Sequence, residues 1–165
     1  VLWTTALNEA TVVGHWSLGT SVTDDDDALV SVYADGTGTP GYWKNHSDRL
    51  PVIDGEVLVG DWNHNWVCDA GETCLSLTAE EALAAIGTAA RGDKTYGVAR
   101  PLVTAWFNVS VGNDSSCIAG DISTAIAWLS VNPIGSGVTD WSDVADVAQR
   151  LDDYNNGLLC AESRG

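Results

Sequence analysis

At Gly36-Thr37-Gly38-Thr39-Pro40-Gly41 the patterning of this chain changes. Upstream, residues 1–39 carry no Lys or Arg and are rich in Thr, Val, Ser and Gly. There Thr11–Leu18 and Ala28–Tyr33 read as strands, bounded by Gly and by the acidic run Asp24-Asp25-Asp26-Asp27. Downstream, apolar residues recur at helical spacing. A Gly- and Pro-dense stretch between two such regimes breaks the chain. The expected fold is therefore α+β: a β-rich N-terminal arm, residues 1–38, followed by a mainly α-helical domain, residues 39–165.

Four helices are expected in that domain. Thr78-Ala79-Glu80-Glu81 is a capping box, opening an Ala-rich helix through about Arg91 and ending near Gly92. A second runs from Asp93 to about Val109, with Val98, Leu102, Trp106 and Val109 on one face. Pro101 inside it predicts a kink or a late start. A third carries Ile122, Ile126 and Leu129 and ends before Asn132-Pro133. The last starts at Asp140 as N-cap, buries Trp141, Val144, Val147 and Leu151, and stops near Asn156-Gly157.

Charge narrows the partners. Over 165 residues, 7 Lys+Arg face 23 Asp+Glu, a net charge of -16. Such a chain is repelled by nucleic-acid phosphates and anionic lipid surfaces, and no apolar run approaches the roughly 18 residues of a membrane span. A chain starting at Val1 with no Met reads as a processed, secreted product. Cys68, Cys74, Cys117 and Cys160 allow three pairings and fit no zinc spacing. Sequons at Asn45, Asn108 and Asn113 predict glycosylation. Together these features place the chain outside the cell or on its surface.

The sharpest chemistry lies in Asp61-Trp62-Asn63-His64-Asn65-Trp66-Val67-Cys68-Asp69-Ala70-Gly71-Glu72. Counting from Asp61, oxygen-bearing side chains fall at positions 1, 3, 5, 9 and 12, and Val67 offers its carbonyl at 7. That is the ligand spacing of an EF-hand-type calcium loop. The predicted ligands of Ca2+ are Asp61, Asn63, Asn65, Val67, Asp69 and Glu72. Trp66 stands where such loops carry Gly, so the turn there should be different or strained. Asp24–Asp27 is a second, weaker candidate for a cation.

Catalytic signatures are missing. His15, His46 and His64 form no metal-binding pair, and neither a nucleophile elbow nor a phosphate-binding loop occurs. Of 8 tryptophans, Trp106, Trp128 and Trp141 fall on apolar helix faces, whereas Trp43, Trp62 and Trp66 read as loop residues able to stack on sugar rings.

Several motifs resemble a family of secreted and cell-surface domains, widespread in bacteria and archaea, of poorly defined function. They are Thr39-Pro40-Gly41-Tyr42-Trp43-Lys44-Asn45-His46, Gly92-Asp93-Lys94-Thr95, Gly112-Asn113-Asp114-Ser115-Ser116-Cys117-Ile118, Asn132-Pro133-Ile134-Gly135-Ser136-Gly137-Val138 and Leu151-Asp152-Asp153-Tyr154-Asn155-Asn156-Gly157-Leu158-Leu159-Cys160-Ala161. The resemblance covers residues 39–165 and implies a Cys117–Cys160 bridge, leaving Cys68–Cys74 within an apparent insertion that contains the loop 61–72. It supplies no catalytic residues.

The expected function is a non-enzymatic structural subunit of an extracellular surface or filament assembly, stabilised by calcium. It would polymerise head to tail with copies of itself through residues 1–38, because two strands alone are marginal and leave open edges. The alternative is a calcium-dependent carbohydrate-binding module using Trp43, Trp62 or Trp66. Glycans are its expected partners.

Overall fold

The computed structural model describes the backbone of residues 6–15 and 21–30 and the whole of residues 36–164. Two antiparallel strands, β1 (Ala6–His15) and β2 (Ser21–Val30), form a two-stranded ribbon in the register Ala6 to Val30 through His15 to Ser21. The acidic run does not bound the strands. It lies within β2, opposite Glu9 to Val12, because ladder bonds use only backbone groups and tolerate any side chain that reaches water. The expected strand residues Trp16–Leu18 and Ser31–Tyr33 lie outside the described residues, as do the side chains of Asp24–Asp27.

The helical domain begins at Gly36. Thr37 pairs with Ser163 in a short parallel bridge, its N–H bonded to the Glu162 carbonyl at 2.7 Å. A short helix, α1 (Pro40–Asn45), follows, with Thr39 accepting a bond from the Tyr42 N–H and Pro40 in the first turn. Asp54-Gly55, both with positive φ, then makes a two-residue turn between Ile53 and Glu56. It leads into β3 (Glu56–Val59), which pairs antiparallel with β4 (Leu75–Thr78).

The capping box forms as expected: Thr78 Oγ1 accepts from the Glu81 N–H while Glu81 accepts from the Thr78 N–H. Helix α2 (Ala79–Gly87) nevertheless stops at Gly87, short of Arg91, since Thr88 takes an extended conformation. The longest helix, α3 (Lys94–Ser110), starts at Asp93 as expected and runs through Pro101. Every residue from Pro101 to Ser110 is buried, so α3 is enclosed by its neighbours rather than half-exposed. Around it lie α2, α4 (Ala119–Val131) and α5 (Ala145–Asn155). The last helix begins later than expected. Asp140 instead accepts from the Ser142 N–H and hydroxyl, closing a tight turn, and Trp141 and Val147 are only half-buried.

The fold is thus α+β, with two disulfides, Cys68–Cys74 and Cys117–Cys160. Such bridges persist in oxidising compartments. No helix among the described residues is long and apolar enough to cross a membrane. Cys117–Cys160 closes a sequence separation of 43 and ties the start of α4 to the tail after α5.

One buried side chain joins these parts. Asn108, fully buried on α3, accepts at Oδ1 from the Gly38 N–H (2.7 Å) and the Trp43 indole N–H (3.0 Å). Its Nδ2 donates to the Gly38 carbonyl and to Asn155 Oδ1, both at 2.9 Å. Asn155 in turn donates to the Pro101 carbonyl. Asn108 is therefore a structural hub and not a glycan acceptor. The same holds for Asn113, whose nitrogen donates to the carbonyls of Gly36 and Asn108. Asn45 alone of the three sequons is exposed. Replacing Asn108 with Ala strips partners from Gly38, Trp43 and Asn155 and should cost about 3–5 kcal/mol. Urea unfolding measures this, and a loss below about 1 kcal/mol would refute the hub.

Candidate metal centre

Strands β3 and β4 form the stem of the loop 61–72. At the neck, Gly60 takes φ +94, and a Cβ there would fall 2.2 Å from the Thr73 carbonyl oxygen, so only glycine lets the two ends meet. The Cys68–Cys74 bridge closes the far side. The loop's own spacing does the rest. Positions 1, 3, 5, 9 and 12 carry the side-chain oxygens, while positions 2 and 4 turn to the core: Trp62 meets Trp106 edge-on at 5.3 Å, and the His64 ring lies 5.7 Å from it. Trp106 is buried on α3, so the loop is anchored to the central helix.

The side chains of five of the six expected ligand residues join one hydrogen-bonded network. Asp61, only 2% exposed, accepts from the Asn65 N–H (3.3 Å) and the Trp66 N–H (2.7 Å). Asn63 and Asn65 both donate their amide nitrogens to Asp69 Oδ2, at 2.8 and 2.7 Å. Their oxygens accept from the backbone N–H groups of Asn65 and Val67. Glu72 bridges the loop ends, accepting from the Trp62 and Asp69 N–H groups at 3.0 Å each. Val67 joins through its backbone N–H, which donates to Asn65, while its side chain is exposed on the rim.

The turn at position 6 is resolved by backbone conformation. Trp66 takes φ 64 and His64 φ 54, so both enter the left-handed region that glycine usually fills in such loops. The short bond from the Trp66 N–H to Asp61 and the contact of His64 with Trp106 offset that cost.

Electrostatically the loop gathers Asp61, Asp69 and Glu72, and among the described residues no Lys or Arg pairs with any of them. Bonds from Asn63 and then Asn65 hold the Asp69 carboxyl below its ordinary value. Glu72 also lies close to the sulfurs of Cys68 and Cys74, but those sulfurs are joined to each other and offer no thiolate. The donor set is thus all oxygen, suited to a hard cation.

The other expected site residues disperse. Trp43 is buried in α1 against Phe107, its N–H committed to Asn108, and presents no surface for a sugar. Trp62 is engaged with Trp106, and Trp66 is half-buried. The roles of Gly60 and Trp106 were not evident from sequence, although Gly before an acidic loop is a readable turn signal.

Comparison with family models, curated proteins and solved structures finds no match to this chain. The resemblance to secreted and surface domains rests on its motifs alone.

Because its bonds favour the ionised form, Asp69 supports the folded loop at neutral pH. That support fades as pH falls from the ordinary aspartate value of 3.8 through the lower value in the folded loop. A carboxyl NMR titration of the metal-free protein should find the Asp69 midpoint below 3.8. A midpoint at or above it contradicts the network.

Proposed function

We propose that this chain is a non-enzymatic structural subunit of an extracellular surface or filament assembly, with loop 61–72 holding a calcium ion. The observation that carries the reading is the gathering of Asp61, Asn63, Asn65, Asp69 and Glu72 in one loop anchored on the central helix. Calcium binding would require the Asn63 and Asn65 amides to turn, presenting oxygen in place of nitrogen, and the Val67 carbonyl to join the set. The ion would neutralise carboxylates that now rely on N–H donors alone.

The polymerising element is the ribbon β1–β2. Each strand of 10 residues pairs with the other and, among the described residues, with nothing further. An isolated two-stranded ribbon is marginal in water, and its outer edges offer rows of N–H and C=O groups to a copy of itself. Addition of one subunit's strand to the next would satisfy both. The motifs shared with secreted and surface domains, together with the disulfides, support an extracellular setting. The calcium-dependent carbohydrate reading is weakened by the burial of Trp43 and the engagement of Trp62.

Two measurements test this. Adding calcium to chelated protein should raise Tm by several degrees, and Glu72→Gln should remove most of the rise, since a ligand of the folded state alone must stabilise it. An unchanged Tm sinks the metal reading. Deleting residues 1–35, while keeping the Thr37 bridge to the body, should abolish higher-order particles in light scattering. Particles of unchanged size sink the assembly reading.

A further inference from the structure

We propose that the groove between α3 and α5 binds a neutral oligosaccharide on Trp141. The groove has a volume of about 640 Å³, inside the roughly 300–1,000 Å³ of small-ligand sites. It lies apart from loop 61–72 and shares no residue with it.

Its walls carry the three elements that sugar recognition requires. The first is a fixed aromatic surface. Trp141 is half-buried, with Lys94 Nζ 5.2 Å from a ring centroid and the α3 backbone at Gly97 pressed against its six-membered ring. A Cβ at Gly97 would lie 3.0 Å from Trp141 Cζ3, so glycine there is what lets the indole settle on the helix. A ring already immobilised loses little entropy when a sugar stacks on it. Asp140 adds to this by closing the turn at Ser142, next to the ring's own backbone.

The second element is a mixed set of donors and acceptors. Arg100 is exposed at the groove, and its guanidinium makes no hydrogen bond or ion pair among the described residues. Opposite it, α5 contributes Asp146 and Asp152, and Tyr96 adds a phenol from α3. Pro101 supplies a further acceptor indirectly. Having no N–H, it withdraws the usual helical partner of the Gly97 carbonyl, and both residues line the groove. Sugar hydroxyls both donate and accept, so alternating carboxylates, a guanidinium and a carbonyl suit them.

The third element is charge. In the groove Asp146 and Asp152 stand against Arg100, with the Lys94 ammonium over the Trp141 ring beside them, and the whole chain carries -16. Acidic glycans, nucleotides and phosphorylated ligands are disfavoured by that field. An uncharged saccharide is not.

The proposal is independent of the calcium reading, and the experiment separates them. The full chain is applied to an array of neutral cello-, xylo- and manno-oligosaccharides beside acidic uronate oligosaccharides, in calcium and again in chelator. The strongest neutral ligand is then titrated calorimetrically. Neutral sugars should bind in both buffers and acidic ones should not. Trp141→Ala and Arg100→Ala should each weaken binding about tenfold or more, with Tm unchanged in Arg100→Ala because that side chain is exposed and unpaired among the described residues. Capture of no neutral sugar, a preference for acidic sugars, or full binding by Arg100→Ala overturns the proposal. So does binding that chelator abolishes, which would move the site to the loop.

Discussion

The Asn108 carboxamide is the interaction on which the body of this protein depends. All four of its bonding positions are used, two as acceptor and two as donor, and every partner comes from a different part of the chain or from a backbone far away in sequence. A buried amide left partly unpaired would be costly, so the arrangement permits few alternatives. It places Gly38 and Trp43 on one side of α3 and Asn155 on the other. It also goes with the enclosure of α3, every residue of which is buried from Pro101 to Ser110. The motif residues Trp43, Asn113 and Asn155 converge on this one network, and Asp93 with Thr95 makes a second, binding the Gly137 and Gly135 N–H groups. The ordered motifs are therefore largely the signature of a packing solution.

The loop 61–72 depends on that core in turn. Its oxygens would be a floppy polar stretch if Trp62 and His64 did not rest on Trp106, which sits two residues before Asn108 on the same enclosed helix. The stem β3–β4 brings the ends together, Gly60 lets them touch, and the Cys68–Cys74 bridge shortens the free segment. By chain-entropy reasoning that short bridge contributes less than Cys117–Cys160, worth on the order of 3–4 kcal/mol. Its value is local: it narrows the conformations from which the carboxylates must be gathered.

What could be read in advance was whatever local chemistry dictates. The capping box at Thr78, the Asp93 cap, the end of α4 before Asn132-Pro133 and the one-three-five-nine-twelve spacing of oxygens each follow from residues within one or two turns of each other. The Cys117–Cys160 pairing came from the motif resemblance. Some equally local signals went unread: Thr39-Pro40 is a cap followed by a first-turn proline, and Asp54-Gly55 is a hairpin turn. The longer errors have another origin. Asn108 and Asn113 match a glycosylation triplet, and nothing within that triplet reveals that the nitrogen is already donating to groups 70 or more residues away. Trp43 in a Gly-rich stretch looks exposed until α3 is packed against it.

By itself the sequence determined the α+β class, the helix caps at Thr78 and Asp93 and which residues of loop 61–72 carry oxygen, because these depend on neighbours along the chain. Only the tertiary structure decided that Asn108 binds the core together, that Trp43 is interior, that Trp62 serves as an anchor and that Trp141 walls a groove. Those outcomes turn on which distant groups compete for the same hydrogen bond or the same apolar face. Burial settles that competition, and burial exists only once the chain has closed on itself.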